Sequence, residues 1–351
     1  MGSFQNVAVI GAGLAGLSCA TALQAVGHRV SVFDKSRGVA GRMSTRRGDG
    51  WQCDHGAQYF TARSAAFRAE LARWLSAGVA AVWAPRLAVF GAADQHRPDA
   101  ELLRYVGAPQ MTAPARWLAD ALLEPVNTGV QIERLVRAGA GWRLQGAAAA
   151  APVDQVFDAV LLALPAPQAL ALLQEPAPEL AQWAAGVRMR AAWALMLNYG
   201  APQELGFDAG FVNQGPLRWV ARNSSKPGRS GAESWLLHAQ AEWSELRLAM
   251  PPEQVAEALL RAFAALGGPP PAAWFAHRWL YADRAPGSVG PAGGCAWDAG
   301  LGLGLCGDWL AGGKVEGAWL SGQALAQQVA LLGLLGANTG IKKTAVGHNP
   351  P

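Results

Sequence analysis

A short apolar run that leads into a glycine-rich loop constrains this 351-residue chain more than any other feature. Residues 7–10 are continuously hydrophobic, as in a strand buried on both faces of a parallel sheet. The loop at residues 11–16 reads Gly-Ala-Gly-Leu-Ala-Gly, and a helical pattern follows it to Ala25. A second strand, residues 29–33, closes with Asp34. This order of strand, loop, helix, strand and acid predicts a Rossmann-type dinucleotide site.

Each part of this motif has a mechanical reason. Gly11 allows the tight turn, Gly13 lets a pyrophosphate approach the backbone, and Gly16 lets the helix pack closely on the strand. The start of the helix supplies unpaired N–H groups and the positive end of the helix dipole. Asp34 is placed to accept hydrogen bonds from an adenosine ribose. The alternative is a glycine turn with a purely structural role.

Composition and charge exclude several classes of protein. With 51% hydrophobic and 15% charged residues, wholesale disorder is excluded. The net charge of +4 is scattered, which argues against a nucleic-acid binder. Apolar runs of membrane-spanning length are interrupted by prolines, and we expect no membrane segment and no signal peptide. The four cysteines lack C-x-x-C spacing, which favours a reducing cytoplasm, and no zinc-type spacing occurs, so no metal site is expected.

Two distant segments favour a flavin over a nicotinamide cofactor. Residues 38–43 read Gly-Val-Ala-Gly-Arg-Met and resemble the G-G-R-M segment of the flavin amine oxidase superfamily, in which the arginine pairs with the pyrophosphate. Residues 306–322 resemble the C-terminal flavin segment of that superfamily, whose Gly-Asp pair contacts the ribityl chain and pyrophosphate. In that superfamily the following helix points its N-terminus at the pyrimidine end of the isoalloxazine, where reduced flavin carries negative charge. We expect noncovalent FAD.

The segment at residues 38–43 departs from the superfamily pattern at one position. Ala40 precedes Gly41 where that pattern usually shows two adjacent glycines. Alanine is small enough for the loop to survive, but a positive φ at residue 40 would strain the backbone.

A more specific resemblance covers residues 6 to about 329. Residues 54–61 read Asp-His-Gly-Ala-Gln-Tyr-Phe-Thr and, together with residues 41–45, 107–111, 219–228, 277–282 and 316–322, resemble the renalase family, particularly its bacterial members. The resemblance implies FAD contacts from residues in several distant parts of the chain. These are Gly11, Ala12, Gly13, Ala15, Gly16, Asp34, Lys35, Gly41, Arg42, Met43, Gln58, Tyr59, Ile132, Gly307, Asp308, Glu316, Gly317 and Ala318.

The resemblance and the hydrophobic pattern together predict an α/β fold with two domains. A glutathione-reductase-type FAD-binding Rossmann domain would comprise residues 1–75, 105–165 and 285–335. A second α+β substrate domain, built on an antiparallel sheet, would comprise residues 76–104 and 166–284, and residues 336–351 would form a flexible tail. The pattern also predicts one helix over residues 170–185 and another that starts at Thr112 as N-cap and runs to about residue 123.

The renalase resemblance implies a reaction and a substrate. Renalases oxidise 2- and 6-dihydro isomers of NAD(P)H to NAD(P)+ by hydride transfer to flavin, and molecular oxygen then re-oxidises the flavin and yields hydrogen peroxide. This chemistry needs a flat slot rather than a base, because the product is already an aromatic cation. We expect Trp279 and Tyr281, on one face of a strand, to line the slot with Tyr59 nearby. Asn223 and His238 are candidates for amide or ribose contacts, with core or loop roles as the alternative.

Two other functions remain open at this point. An amine oxidase would need an aromatic cage and commonly a lysine bridged by water to the flavin, and no lysine matches that role by position; the chain has Lys35, Lys226, Lys314, Lys342 and Lys343. A flavin-free escort protein on the same fold would have no use for the Gly307-Asp308 pair. The sequence leaves open NAD against NADP, 2- against 6-dihydro isomers, and the oligomeric state.

Overall fold

Two six-stranded sheets organise the part of the chain that the computed structural model describes, namely residues 5–91, 99, 101–146, 153–288 and 290–338. The strands are β1 (Asn6–Ile10), β2 (Arg29–Asp34), β3 (Thr45–Gly48), β4 (Trp51–Asp54), β5 (Ala80–Trp83), β6 (Leu87–Phe90), β7 (Arg104–Gly107), β8 (Asn127–Thr128), β9 (Ile132–Ala138), β10 (Gly141–Gly146), β11 (Val153–Phe157), β12 (Ala159–Leu162), β13 (Met189–Tyr199), β14 (Ala209–Val212), β15 (Leu217–Arg222), β16 (Glu233–Ala239), β17 (Ala273–Arg284), β18 (Cys295–Asp298) and β19 (Leu303–Cys306). The helices are α1 (Leu14–Ala25), α2 (Ala65–Ser76), α3 (Ala113–Asp120), α4 (Ala166–Leu173), α5 (Pro178–Ala185), α6 (Ala241–Glu245), α7 (Pro252–Ala264) and α8 (Lys314–Asn338).

The first sheet has the strand order β18-β19-β12-β1-β2-β8. Its central strand β1 pairs in parallel with β2 on one side and β12 on the other. Along β1, Val7 and Val9 belong to one hydrophobic cluster, whereas Ala8 and Ile10 belong to another on the opposite face. The predicted strand buried on both faces of a parallel sheet is therefore confirmed.

Helices α1 and α8 pack against each other on one face of this sheet, and glycines permit the close approach. A Cβ at Gly322 of α8 would lie 2.2 Å from the carbonyl oxygen of Ala15, and one at Gly16 would lie 1.9 Å from that of Gly11. No larger side chain fits at either position unless the backbone moves. Residues from opposite ends of the sequence are thus held within one core.

Two helix predictions need correction. Residues 170–185 do not form one helix: α4 ends at Leu173 and α5 begins at Pro178, because proline cannot donate the hydrogen bond that a continuous helix requires. Helix α3 begins after Thr112, as predicted, but within the described part of the chain the threonine side chain makes no capping hydrogen bond. This helix also ends at Asp120 rather than near residue 123.

The second sheet has the order β17-β13-β16-β15-β14-β6 and is antiparallel except where β6 pairs in parallel with β14. On β13, alternate residues such as Trp193 and Leu195 pack in the cluster that contains α7, whereas Ala194 and Met196 pack against β4. The predicted antiparallel sheet with helices is confirmed. The domain boundaries remain a prediction, and most of the predicted tail, residues 339–351, lies outside the described residues.

A buried carboxylate joins β4 to the loop that follows β15. Asp54, with no exposed surface, accepts hydrogen bonds at Oδ2 from Lys226 Nζ (3.0 Å) and Arg229 Nη2 (2.6 Å), and at Oδ1 from Thr45 Oγ1 (2.7 Å). Burial by itself would raise the pKa of Asp54, but the two cations outweigh it and hold the pKa well below its usual range. Burial lowers the pKa of Lys226. One carboxylate therefore pairs with two cations in the interior.

Replacing this carboxylate with an amide tests its structural role. Asp54→Asn leaves Lys226 and Arg229 buried without a counter-charge, and we expect the free energy of unfolding to fall by about 3–5 kcal/mol. Urea titration followed by tryptophan fluorescence measures the change. The matched control is Glu257→Gln, which removes an exposed partner of Arg261 and should cost less than about 1 kcal/mol. Equal losses in the two variants would contradict the assignment.

The same carboxylate predicts a pH dependence of stability. Because the pKa of Asp54 is lower in the folded chain than in the unfolded chain, its stabilisation is fully present above the unfolded value of about 4 and is lost as the pH falls below it. We expect the unfolding free energy of the wild type to fall more steeply below about pH 4 than that of Asp54→Asn. Parallel curves for the two proteins would show that another group dominates acid unfolding.

Candidate functional site

A cleft of about 2730 Å3 lies between the two sheets. At one end it is lined by Gly11, Gly13 and Asp34, and at the other by His238 and Trp279. Sites for a single small molecule usually measure about 300–1,000 Å3. The cleft is therefore large enough to hold a dinucleotide and a second ligand side by side.

The glycine loop forms an open cradle at the start of α1. Gly11 has a φ of +109°, and its N–H donates to the carbonyl of Phe33 (2.7 Å), which fixes the turn. Gly13, at φ −74° and ψ 176°, precedes the helix, and a Cβ there would meet no atom of the described residues within 4 Å. The first turn of α1 contains no acidic residue. Free N–H groups thus face open space, which suits a phosphate.

Asp34 is held at the end of β2 beside this cradle. Its Oδ2 accepts from the N–H of Ala12 (2.7 Å) and its Oδ1 from the N–H of Ser36 (2.7 Å). Each carboxylate oxygen has a further lone pair, so the group can still accept hydrogen bonds from ribose hydroxyls. Lys35 follows it along the lining of the cleft.

The second glycine loop lies directly against the first. Ala40 adopts φ +91° and ψ −14° with its side chain buried, and its N–H donates to the carbonyl of Ala12 (2.9 Å). Residue 40 thus has the positive φ that strains the backbone at an alanine. A Cβ at Gly41 would lie 3.4 Å from the Cα of Gly13. Met43 is buried beneath this contact and also lines the cleft.

The two distant sequence segments meet through an ion pair. Arg42 donates from Nη2 to Oδ1 of Asp308 (2.5 Å) and from Nη1 to Oδ2 (3.2 Å). Gly307 precedes this aspartate, and its N–H donates to Ser321 Oγ in α8 (2.8 Å). In this structure the guanidinium of Arg42, predicted to pair with the pyrophosphate, pairs with Asp308. Both side chains line the cleft, so the pair lies where a dinucleotide would pass.

Several predicted cofactor residues support the cleft from behind rather than line it. Ala12 and Gly16 lie inside the glycine loop, and a Cβ at Gly317 would lie 2.5 Å from the carbonyl oxygen of Ala311.

Glu316 lines the cleft, but its carboxylate accepts from the N–H groups of Ser64 (2.7 Å) and Arg63 (3.0 Å). Burial would raise the pKa of Glu316, but the Ser64 side chain, the two N–H groups and the charge of Arg63 together outweigh burial and lower it. The remaining predicted cofactor residues line the cleft: Ala15, Gln58, Tyr59, Ile132 and Ala318.

Gln58 and Tyr59 form a fixed wall. Gln58 donates from Nε2 to the carbonyl oxygens of Asp54 (2.8 Å) and Gly56 (3.1 Å), and its Oε1 accepts from Lys226 Nζ (3.2 Å). The ring of Tyr59 lies 5.6 Å from that of Trp219. The orientation of the amide and the position of the aromatic ring are therefore set before any ligand binds.

Histidines and Trp279 cluster at the far end of the cleft. The rings of His55 and Trp279 are stacked at 5.2 Å, and His277 meets His55 edge-on at 4.8 Å. The backbone carbonyl of His55 accepts from Trp279 Nε1 (2.9 Å) and His238 Nε2 (3.0 Å). The structure thus brings together two of the predicted substrate residues, Trp279 and His238, around one carbonyl group.

Trp279 and Tyr281, predicted to share one face of a strand, lie on an irregular part of β17. Both residues line the cleft, but the pairing of β17 with β13 shifts register between Arg190 and Ala192. A bulge interrupts strict alternation at that point. The position of Tyr281 therefore does not follow from the two-residue period of the strand.

The clustered histidines are uncharged near neutral pH. Burial lowers the pKa of His55 to about 4, helped by the charges of His277 and Arg46. Burial lowers the pKa of His238 to about 3, and Arg218 adds to this. Burial and Arg46 also lower the pKa of His277. Groups with such low pKa values are weak bases, so these histidines are poorly suited to removing protons near neutral pH.

Asn223 lies away from the cleft, and its predicted contact with substrate is not supported by its position. It is fully buried, accepts from the N–H of Asp54 (3.1 Å) and donates to the carbonyl of Gln52 (3.1 Å). These bonds tie β4 to the loop after β15. The Asn223 amide therefore has a structural role, because it joins these two segments.

Sequence reasoning missed His55 and His277 as cleft residues. His277 and Trp279 alternate along β17, and that two-residue period could have identified His277 together with Trp279. His55 follows the buried strand β4 and had no comparable signal, because its neighbours on β17 are more than 200 positions away.

Among the described residues, no three His, Cys, Asp or Glu side chains are grouped so that they could hold a metal ion. Within the same residues, no helix combines the length and the hydropathy needed to cross a bilayer.

Comparison with protein families and curated proteins gives matches at the N-terminal end of the chain. Residues 9–74 match the family described as NAD(P)-binding Rossmann-like domain. A 4,4'-diapophytoene desaturase (4,4'-diaponeurosporene-forming) of Staphylococcus haemolyticus is 48% identical over 50 residues, which is 14% of this chain and 10% of that protein. The corresponding enzyme of Staphylococcus aureus strain Newman is 44% identical over 51 residues. The chain thus spans about a tenth of the length of the curated relatives that it matches.

Solved structures match nearly the whole chain at low sequence identity. A putative protoporphyrinogen oxidase from Exiguobacterium sp. 255-15 superposes with a TM-score of 0.73 at 13% identity, covering 94% of this chain and 99% of that chain. Cyclohexylamine oxidase from Brevibacterium oxydans superposes with a TM-score of 0.71 at 14% identity, with the same coverage. Wild-type putrescine oxidase bound to putrescine gives 0.68 at 13% identity. The chain therefore contains a Rossmann-like nucleotide-binding domain and has the fold of these oxidases.

Proposed function

We propose that this protein is an FAD-dependent oxidoreductase that binds FAD noncovalently in the cleft between its two sheets. The observation that carries the proposal is the meeting of the two glycine loops with the Arg42–Asp308 pair around open space at Gly13. FAD would be held by the N–H groups at the start of α1, by Asp34 at its ribose and by the Gly307–Asp308 turn. When bound, it supplies the ring that accepts a hydride.

The proposed substrates are the 2- and 6-dihydro isomers of NAD(P)H, with molecular oxygen as the final acceptor and hydrogen peroxide as product. Three features of the far end of the cleft support this substrate class. The stacked rings of His55 and Trp279 offer flat walls, and the histidines are too weakly basic for proton abstraction. Arg46 and Arg47 line the cleft, and neither has a carboxylate partner within the described residues, so they can bind a phosphate.

The domain division and the cellular compartment are part of the same proposal. Residues 1–75, 105–165 and 285–335 would bind FAD, and residues 76–104 and 166–284 would cover the substrate. The four cysteines are all free and buried, which favours a reducing compartment such as the cytoplasm.

An amine oxidase is the second candidate, and the fold shared with putrescine oxidase and cyclohexylamine oxidase favours it. Two features of the site disfavour it. Arg46 and Arg218 lie close enough to the histidines to lower their pKa values, and the same charges repel an ammonium group. Lys226 is fully buried against Asp54 and Gln58, so it is not placed as a lysine that faces the ligand.

A methyl group at Gly13 tests the FAD site. The backbone angles at Gly13 suit alanine, so we expect Gly13→Ala to change the unfolding free energy by less than about 0.5 kcal/mol. The methyl would occupy the space of a phosphate, and FAD affinity should fall at least about tenfold. Titration of apoprotein with FAD, followed by flavin fluorescence, measures this. Gly200→Ala is the control, since a Cβ at Gly200 also meets no described atom within 4 Å and lies away from the cleft. Equal FAD affinity in both variants would contradict the site.

Anaerobic reduction of the bound flavin separates the two candidate substrates. We expect the 2- and 6-dihydro isomers of NADH or NADPH to bleach the flavin within seconds, and putrescine, cyclohexylamine and benzylamine to leave it oxidised. Stopped-flow absorbance measures the rates. Re-admitting oxygen should restore the flavin spectrum and release one peroxide per flavin. Fast bleaching by an amine with none by the dinucleotides would overturn the substrate assignment and leave the FAD site intact.

The pH profile gives a second, independent distinction. His55 and His238, with pKa values of about 4 and 3, stay neutral from pH 6 to pH 9, and a dihydropyridine needs no deprotonation. We therefore expect the rate of flavin reduction by a dihydronicotinamide to vary less than about twofold over that range. An alkylamine must lose a proton from a group of pKa near 10, so its oxidation would rise steeply with pH. A bell-shaped profile for the dinucleotide would point to an acid or base that this structure does not provide.

A further inference from the structure

One ring nitrogen of His238 is fixed by the protein and the other is left for a ligand. His238 lies on β16, on the same face as Ser234 and Leu236, which pack towards β4. Its Nε2 lies 3.0 Å from the backbone carbonyl oxygen of His55. A carbonyl oxygen can only accept, so the hydrogen of the neutral ring must be on Nε2. Nδ1 then carries a lone pair and no hydrogen.

The position of the ring leaves Nδ1 accessible. Within the described residues no group of the protein donates to Nδ1, and His238 lines the cleft. The same carbonyl of His55 also accepts from Trp279 Nε1 (2.9 Å), so two donors hold this corner of the site. Trp279 and His238 thus line the same part of the cleft and are held by one carbonyl group.

The surrounding charges restrict which donor can approach. Arg190 and Arg218 share the carboxylate of Asp283, with Nη2–Oδ2 of 2.9 Å and Nη1–Oδ2 of 3.5 Å. Glu242 on α6 adds a second, largely exposed carboxylate to Arg190. Arg46 lines the same region without a carboxylate partner in the described part of the chain. A neutral N–H donor is favoured over an ammonium in such surroundings.

We propose that Nδ1 of His238 accepts a hydrogen bond from the primary carboxamide of the substrate's pyridine-type ring, and that it selects rings which carry this group. The inference rests on the proposed function, because it identifies the part of a dihydronicotinamide that this end of the cleft binds. The carboxamide N–H points to Nδ1, and the ring lies flat beside Trp279. His238 is a binding residue and takes no proton.

The test compares NAD+ with 3-acetylpyridine adenine dinucleotide, in which a methyl group replaces the amide nitrogen and the carbonyl is kept. Isothermal titration of the FAD-loaded protein with each dinucleotide gives the two affinities without turnover. We expect the wild type to prefer NAD+ about five- to tenfold, the effect of one neutral hydrogen bond. In His238→Gln the amide nitrogen can still donate to the carbonyl of His55, but the acceptor at the Nδ1 position is gone. The preference should then fall below about twofold.

The matched control is Trp279→Phe, which removes the other donor to the same carbonyl and leaves Nδ1 in place. Affinity for both dinucleotides will change because the ring wall changes, but the preference for NAD+ should persist. Flavin absorbance of each variant reports whether FAD is still bound. The wild-type ratio is informative even if a variant fails to fold.

Two outcomes overturn the inference in different ways. Equal affinity of the wild type for the two dinucleotides, or an unchanged preference in His238→Gln, removes the role of His238 while oxidation of the dihydro isomers stands. If the FAD-loaded wild type neither binds these dinucleotides nor is reduced by the dihydro isomers, the inference and the proposed substrate both fall.

Discussion

The buried carboxylate of Asp54 is the interaction on which the rest of this site depends. It binds Lys226 and Arg229 from the loop after β15, Thr45 from β3 and the N–H of Met111 (3.3 Å). Ion pairs in protein interiors are strong only when the remaining hydrogen-bonding groups are also satisfied. Here Lys226 has a second acceptor in Gln58, and Arg229 donates to the carbonyl of Gly107 (2.7 Å). Four separate segments are thereby held in one arrangement.

The geometry of the far end of the cleft, around His55 and Trp279, follows from that arrangement. His55 is the next residue after Asp54, so the network fixes its carbonyl, and this carbonyl in turn orients Trp279 and His238. Gln58, three residues later, is oriented by Lys226 and forms the adjacent wall. Groups that line the cleft thus rest on groups that do not line it. Precise placement of binding residues generally requires such a supporting layer.

The sequence predicted the features that local patterns determine. The order of β1, the glycine loop, α1 and Asp34 is typical of a dinucleotide site, and the structure has these elements in that order. The antiparallel second sheet was predicted from the hydrophobic pattern together with the family resemblance. Features set by distant contacts could not be predicted. Arg229 belongs to the loop after β15, where local sequence favours a solvated side chain, whereas its pairing with Asp54, 175 positions away, buries it. Asn223 was a candidate for a substrate contact with a loop role as the alternative, and only the fold reveals its bonds to β4.

Backbone strain supports a ligand site at the junction of the two glycine loops and α8. Among the described residues, Ala40 and Lys314 are the non-glycine positions with positive φ, at +91° and +68°, and both line the cleft from opposite ends of the sequence. Each such residue costs about 1–3 kcal/mol and persists only where its surroundings impose it. At Ala40 a hydrogen bond imposes the conformation, because the N–H of Ala40 donates to the carbonyl of Ala12 beside Gly13. The strain at Ala40 is therefore retained where the two glycine loops meet, at the proposed FAD site.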